Sequence, residues 1–187
     1  MEDNTLSIPN YSLYRVDSAN RHTGGVAMYV HNSLQIQVLK TSSINFIWSL
    51  SFKILSGYVN DTFCLVYRGH QSSNSNFIEF LQQSCEFLCS NSNFFHILGD
   101  FNYNFYDKTK SAPVLNVLKS YGLTQIMNSP TRETQNSSTI IDWLLTNKKN
   151  VNTTVLNSNN IADHNMIKIN LFIKHKNSEV SQLAKIR

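Results

Sequence analysis

Three short segments of this 187-residue chain carry groups able to do chemistry on a charged substrate. The first is Gly99-Asp100-Phe101-Asn102. An apolar run over 94–99, Phe-Phe-His-Ile-Leu-Gly, leads into it and reads as a buried strand. Asp100 and Asn102 are two positions apart, so an extended chain places both on one side. The carboxylate could hold Mg²⁺ or orient a nucleophile, and the amide could donate to a phosphate oxygen or to an attacking water. The same residues would equally form an Asp/Asn turn that satisfies its own backbone. The second segment is Asp163-His164, which offers a metal ligand or base beside a proton-transferring imidazole. Asp-His pairs in loops are common, so this one is weak alone. The third is Asp142 in Thr139-Ile-Ile-Asp-Trp-Leu-Leu-Thr146. A carboxylate in an apolar strand is costly to bury unless it is paired. An Asp that accepts from a histidine ring N–H fixes the tautomer and orientation of that ring. On a half-exposed strand, Asp142 would simply face solvent.

The elements that must position these groups follow from periodicity and turn residues. Residues 24–31, after a Gly-Gly turn, read as a strand, as do 46–54 and 62–68, with a hairpin at Gly57–Asp61 joining the last two. Phe77, Phe80, Leu81, Cys85 and Leu88 recur at helical spacing over 76–90, with Ser75 as the expected N-cap. A second helix is expected over 112–120, with Pro113 in its first turn and Tyr121-Gly122 ending it. Short strands follow near 123–127, 140–146 and 166–173. The Asn/Ser/Thr-rich stretches 128–139 and 147–161 read as loops. Residues 1–173 read as one mixed α and β domain and 174–187 as a basic tail or linker.

Composition is compatible with this and excludes little. The 41% apolar content supports a packed core, and the net charge of +4 is a mild bias toward polyanions. Three cysteines without framework spacing suit a reducing compartment, and Cys85 and Cys89 read as small helix hydrophobes. No apolar stretch approaches the ~20 residues of a membrane span. The opening residues lack an apolar run, so the expectation is an intracellular protein that is not secreted and has no membrane partner.

Taken in order, Gly-Asp-Phe-Asn, Ile-Asp-Trp-Leu-Leu and Asp-His resemble the endonuclease/exonuclease/phosphatase superfamily. Other segments are similar to the apurinic-like endonuclease domains of non-LTR retrotransposons in particular. These are Ile8 to Asp17, Gly24-Gly25-Val26-Ala27-Met28-Tyr29-Val30, Leu65-Val66-Tyr67-Arg68, and Ser129-Pro130-Thr131-Arg132 followed by Ser138-Thr139-Ile140-Ile141-Asp142. The resemblance spans residues 6 to about 172.

The resemblance implies a four-layer sandwich of two mostly antiparallel sheets flanked by helices, with Asp100, Asn102, Asp142, Asp163 and His164 in one polar cleft. It implies Mg²⁺-dependent hydrolysis of a phosphodiester, with Mn²⁺ as a substitute ion and DNA as substrate. Asp100 would activate the attacking water and, with Asp163, hold the metal. Asn102 would hold the water or the phosphate, His164 would stabilise the pentacovalent phosphate, and Asp142 would orient His164. Tyr67 would contact the scissile phosphate, and Thr131 or Ser138 the DNA backbone. The implied setting is a monomeric domain of a mobile element, nuclear when active, with a reverse transcriptase (an RNA-directed DNA polymerase) downstream.

There are also departures. The family's opening strands, one with an Asn and one ending in its principal Mg²⁺-binding Glu, lie upstream of the Gly-Gly-Val segment. Here only 23 residues precede Gly24, and Glu2 is the only glutamate among them. Ala162 stands where a Ser is usual, and Gly69-His70 where Pro-Pro is usual. The expectation is therefore an N-terminally incomplete domain that nicks DNA poorly. The alternatives are a catalytically inactive remnant that binds nucleic acid, or a phosphoesterase of the same superfamily acting on a small ester.

Overall fold

The protein is described from a computed structural model, which covers residues 3–20, 23–55, 60–157, 162–171 and 183–185. After a 3₁₀ turn at Asp3–Leu6 come β1 (Tyr11–Asp17), β2 (Gly25–His31), β3 (Ile36–Ile44), β4 (Ile47–Ile54) and β5 (Thr62–Arg68). Then follow α1 (Asn74–Asn91), β6 (Phe95–Asp100), α2 (Lys108–Ser120) and β7 (Thr124–Gln125). The chain continues through β8 (Arg132–Thr134), β9 (Ser137–Thr139), β10 (Asp142–Thr146), β11 (Asn152–Leu156), β12 (Met166–Asn170) and β13 (Leu183–Lys185).

A six-stranded sheet, in the order β3-β4-β5-β6-β10-β7, forms the centre. Its pairings are antiparallel except β5 with β6, where α1 makes the crossover that a parallel pair needs. The register makes three rows on one face. Trp48, Tyr67, Asp100 and Asp142 lie side by side, then Leu50, Leu65, Leu98 and Leu144, then Phe52, Phe63, His96 and Thr146. Directly paired residues project to the same side, so each row is a line of neighbouring side chains. The β1–β2 ribbon covers part of this face, packing Val26 on Trp48 and Leu50. On the opposite face α1 buries Phe77, Leu81, Cys85 and Leu88. There Trp143 is sealed among Phe77, Phe101, Tyr103 and Phe105, with the Phe101 ring stacked at 4.6 Å. Gly99 permits β6 to close on β5: a Cβ there would lie 1.8 Å from the Val66 carbonyl oxygen, and its φ is +143°.

A large central sheet with two helices is the mixed α and β architecture expected. Among the described residues the second sheet is divided, into the β1–β2 ribbon and the three-stranded β11-β12-β13. Several local expectations need correction. Ser73, not Ser75, caps α1, because its Oγ accepts from the Asn76 amide. Helix α2 begins at Lys108, so Pro113 falls inside it rather than in the first turn. The 128–139 loop contains the β8–β9 hairpin. Within 147–161, β11 alternates outward and half-buried side chains. Most of the expected tail at 174–187 lies outside the described residues, but Leu183–Lys185 pairs with β12. Part of the expected Gly57–Asp61 turn also lies outside them. Among the described residues no helix is long and apolar enough to cross a membrane.

Candidate active site

The row Trp48–Tyr67–Asp100–Asp142 ends the central sheet at the side where β5 and β6 finish and β10 begins. Asp100 and Asp142 face each other directly across an antiparallel pair. The chain returns from β11 to bring His164 to the same place, with Nδ1 3.0 and 3.2 Å from the two Asp142 oxygens. Asp100, Asp142 and His164 each offer a ligand atom, and these lie within 4.8 Å of one another. Tyr67 packs against Trp48 with ring centroids 5.8 Å apart. Gly24 presses onto Tyr67: a Cβ there would come within 2.4 Å of its ring.

The electrostatics follow from this crowding. Burial, helped by the neighbouring Asp142 charge, pushes the Asp100 carboxyl up to about 6, although the Asn102 amide and the nearby His164 and His70 work the other way. The hydrogen bond to Asp142 holds the His164 pKa above its ordinary value, against the effect of burial. Asp142 therefore favours the protonated imidazole, beside a carboxyl pushed up to about 6. Two carboxylates and an imidazole at this spacing fit a divalent cation. Oxygen donors suit Mg²⁺, and a cation would favour the ionised form of Asp100 against the burial and the Asp142 charge that disfavour it.

The other expected site residues are placed differently. Asn102 sits at φ +45°, its amide donating to Asp100 Oδ1 at 2.8 Å and its side-chain nitrogen to the Arg68 carbonyl at 2.7 Å. Asp163 stays outside the three-residue cluster. Its Oδ2 accepts from Nε and Nη2 of Arg132, both at 2.8 Å, which holds its pKa down. Thr131 is fully buried, and its hydroxyl oxygen accepts from the Ile141 and Asp142 amides. It therefore sets the start of β10 rather than meeting a DNA backbone. Ser138 is exposed on β9, paired with Glu133.

Local backbone pairing ties the β8–β9 hairpin to the site. Arg132 bridges His164, the Glu133 amide donates to the Asp163 carbonyl, and the Asn165 amide to that of Thr131. Sequence reasoning missed Arg68, Arg132 and Asn165. For the two arginines, the only signal was their place in the Tyr67-Arg68 and Pro130-Thr131-Arg132 segments.

No protein-family model and no curated protein matches the sequence. Solved structures do. The endonuclease domain of TRAS1, a telomere-specific non-LTR retrotransposon, matches at a TM-score of 0.65 and 12% identity, over 90% of this chain and 82% of that one. An endonuclease/exonuclease/phosphatase family protein from Bacteroides thetaiotaomicron matches at 0.61 and 15% identity, over 89% and 75%. Truncated Caenorhabditis elegans TDP2 matches at 0.55 and 12% identity, over 88% and 76%. At such identities the likeness speaks for the fold, and the fold of this chain is that of the endonuclease/exonuclease/phosphatase superfamily.

Proposed function

We propose that this chain is a metal-dependent phosphodiesterase that nicks DNA, the endonuclease domain of a retrotransposon. The observation that carries the reading is the Asp142-clamped His164 beside an Asp100 whose carboxyl is raised to about 6. His164, kept protonated by Asp142, donates to a phosphate oxygen and stabilises the charge that develops there. Asp100, once ionised, takes the proton of the attacking water. Asn102 orients that water, and Tyr67, next in the row, borders the phosphate. Asp100 and Asp142 would hold Mg²⁺, or Mn²⁺ in its place, which when bound neutralises charge on the phosphate and the leaving oxygen. Asp163 joins them only by leaving Arg132, which supports slow turnover. The domain would act as a monomer on nuclear DNA, ahead of a reverse transcriptase in the same element.

Supercoiled plasmid, incubated with the protein in Mg²⁺ or in chelator, tests this. Slow Mg²⁺-dependent nicking is expected, falling as the pH rises and His164 loses its proton. DNA binding should weaken steeply with salt, since phosphate contacts dominate such binding. DNA binding with no turnover at any pH would favour a non-catalytic role. Phosphate release from a small ester with no plasmid nicking would move the substrate class.

A further inference from the structure

Arg68 ends β5 one residue after Tyr67 and is only 5% exposed. Among the described residues no carboxylate pairs with it. Its partners are dipoles. Nη1 donates to the carbonyls of Phe101 and Asn102 at 3.2 and 3.3 Å. Nη2 donates to the Ser72 carbonyl at 2.6 Å and to Asn74 Oδ1 at 3.1 Å. The guanidinium lies over the Phe77 and Tyr103 rings, 5.0 and 5.8 Å from their centroids. Nε is buried without a partner. A buried cation without a counter-charge is expensive, so a role beyond stability is the natural reading.

Its partners mark that role. The Phe101 and Asn102 carbonyls directly follow Asp100, and the Asn102 side chain returns a hydrogen bond to the Arg68 carbonyl at 2.7 Å. That closed circuit holds Asn102 at its positive φ, where its amide meets Asp100 Oδ1. Ser72 and Asn74 bound the other loop, which carries His70, and His70 acts electrostatically on Asp100. One planar guanidinium therefore joins the loop that follows β5 to the residues that follow Asp100. We propose that Arg68 is a positioning residue for the hydrolysis proposed above, clamping the 69–73 and 101–102 loops so that Asn102 and Asp100 meet the substrate in register. This rests on that functional reading. A lysine keeps the charge but lacks the fork that reaches both loops.

The test uses the full chain with Arg68→Lys and Arg68→Ala. For Arg68→Lys the expectation is a kcat for plasmid nicking lower by about 10²-fold, as for a small misplacement of reacting groups, with KM unchanged. Ethylguanidinium should restore part of the kcat of Arg68→Ala and leave wild type unaffected. Amide hydrogen exchange reads the clamp without any turnover. In Arg68→Lys the Ser72 and Asn102 amides, which donate to the Gly69 carbonyl and to Asp100, should exchange faster, while those of Leu98 and Leu144 stay protected. Wild-type kcat together with wild-type protection at Asn102 overturns the proposal. So does uniform loss of protection through the core, which would make Arg68 merely structural. If wild type itself nicks nothing, the functional reading falls and the exchange pattern alone decides the clamp.

Discussion

The same face of the central sheet holds two histidine–aspartate pairs, one at each end, with the row Leu50–Leu65–Leu98–Leu144 between them. At one end, half-exposed His164 meets Asp142 beside a second carboxyl, Asp100. At the other, His96 Nε2 lies 3.2 Å from Asp61, with both side chains buried and Lys148 closing on the same Asp61 oxygen. His96 stacks on Phe63 at 4.6 Å. Burial drives the His96 pKa down, whereas the Asp142 hydrogen bond drives that of His164 up. Burial would raise Asp61, but hydrogen bonds from His96 and Lys148 outweigh it and hold the carboxyl low. One end is thus a closed, charge-matched anchor and the other an open cluster with two carboxylates to one imidazole. Residue type does not separate a structural pair from a reactive one. Access, and an unbalanced neighbouring charge, do.

The largest expected effect is at the closed end. Asp61→Ala leaves buried His96 and half-buried Lys148 without their carboxylate, and should lower the unfolding free energy by about 3 kcal/mol in urea titration. Nicking per folded molecule should be unchanged. Because the Asp61 pKa is lowered on folding, its stabilisation is present above 3.8 and lost as the pH falls through the lower folded value. Acid unfolding should therefore be less steep in Asp61→Asn. At the open end the pattern reverses. His164→Ala should reduce kcat on the order of 10²- to 10³-fold, with a stability change below about 1 kcal/mol. A variant that nicks like wild type would erase the contrast between the ends.

A smaller effect is stabilising. The Asp100 carboxyl rises from 3.8 to about 6 on folding. Its favourable contribution is therefore present below 3.8 and lost as the pH rises through about 6. Asp100→Asn should gain about 2–3 kcal/mol at pH near 8, little near pH 4, and abolish nicking. Calorimetric melting at the two pH values measures it, and an equal gain at both would refute the burial argument.

The smallest effect is a titration. His164 should titrate above 6.5 by imidazole NMR and drop in Asp142→Asn, while His96 titrates below 6.5. Stability from His164 is present below 6.5 and fades as the pH rises through its raised value. Unchanged His164 titration in Asp142→Asn would show that the 3.0 Å contact does not set its charge.

Much of this arrangement was legible along the chain. The runs 62–68 and 94–99 and the helical spacing of Phe77, Leu81, Cys85 and Leu88 are local patterns, and the structure builds β5, β6 and α1 on them. Strands β1, β3 and β11 and the β8–β9 hairpin were not legible. Their polar or mixed sequences lack a clear apolar alternation, and they acquire strand structure by antiparallel pairing with the strand next along the chain. The same holds inside the site. The types of Asp100, Asn102, Asp142 and His164 are those that phosphate chemistry uses, and their order along the chain points to that chemistry through the resemblance to a family. Nothing local shows that Thr131 turns inward onto two amides, that Arg132 takes up Asp163, or that Arg68 reaches the loop beyond Asp100. A side chain's chemistry belongs to its own residue. Its partner is chosen by strand register and loop closure between segments tens of residues apart, and only the folded chain decides that.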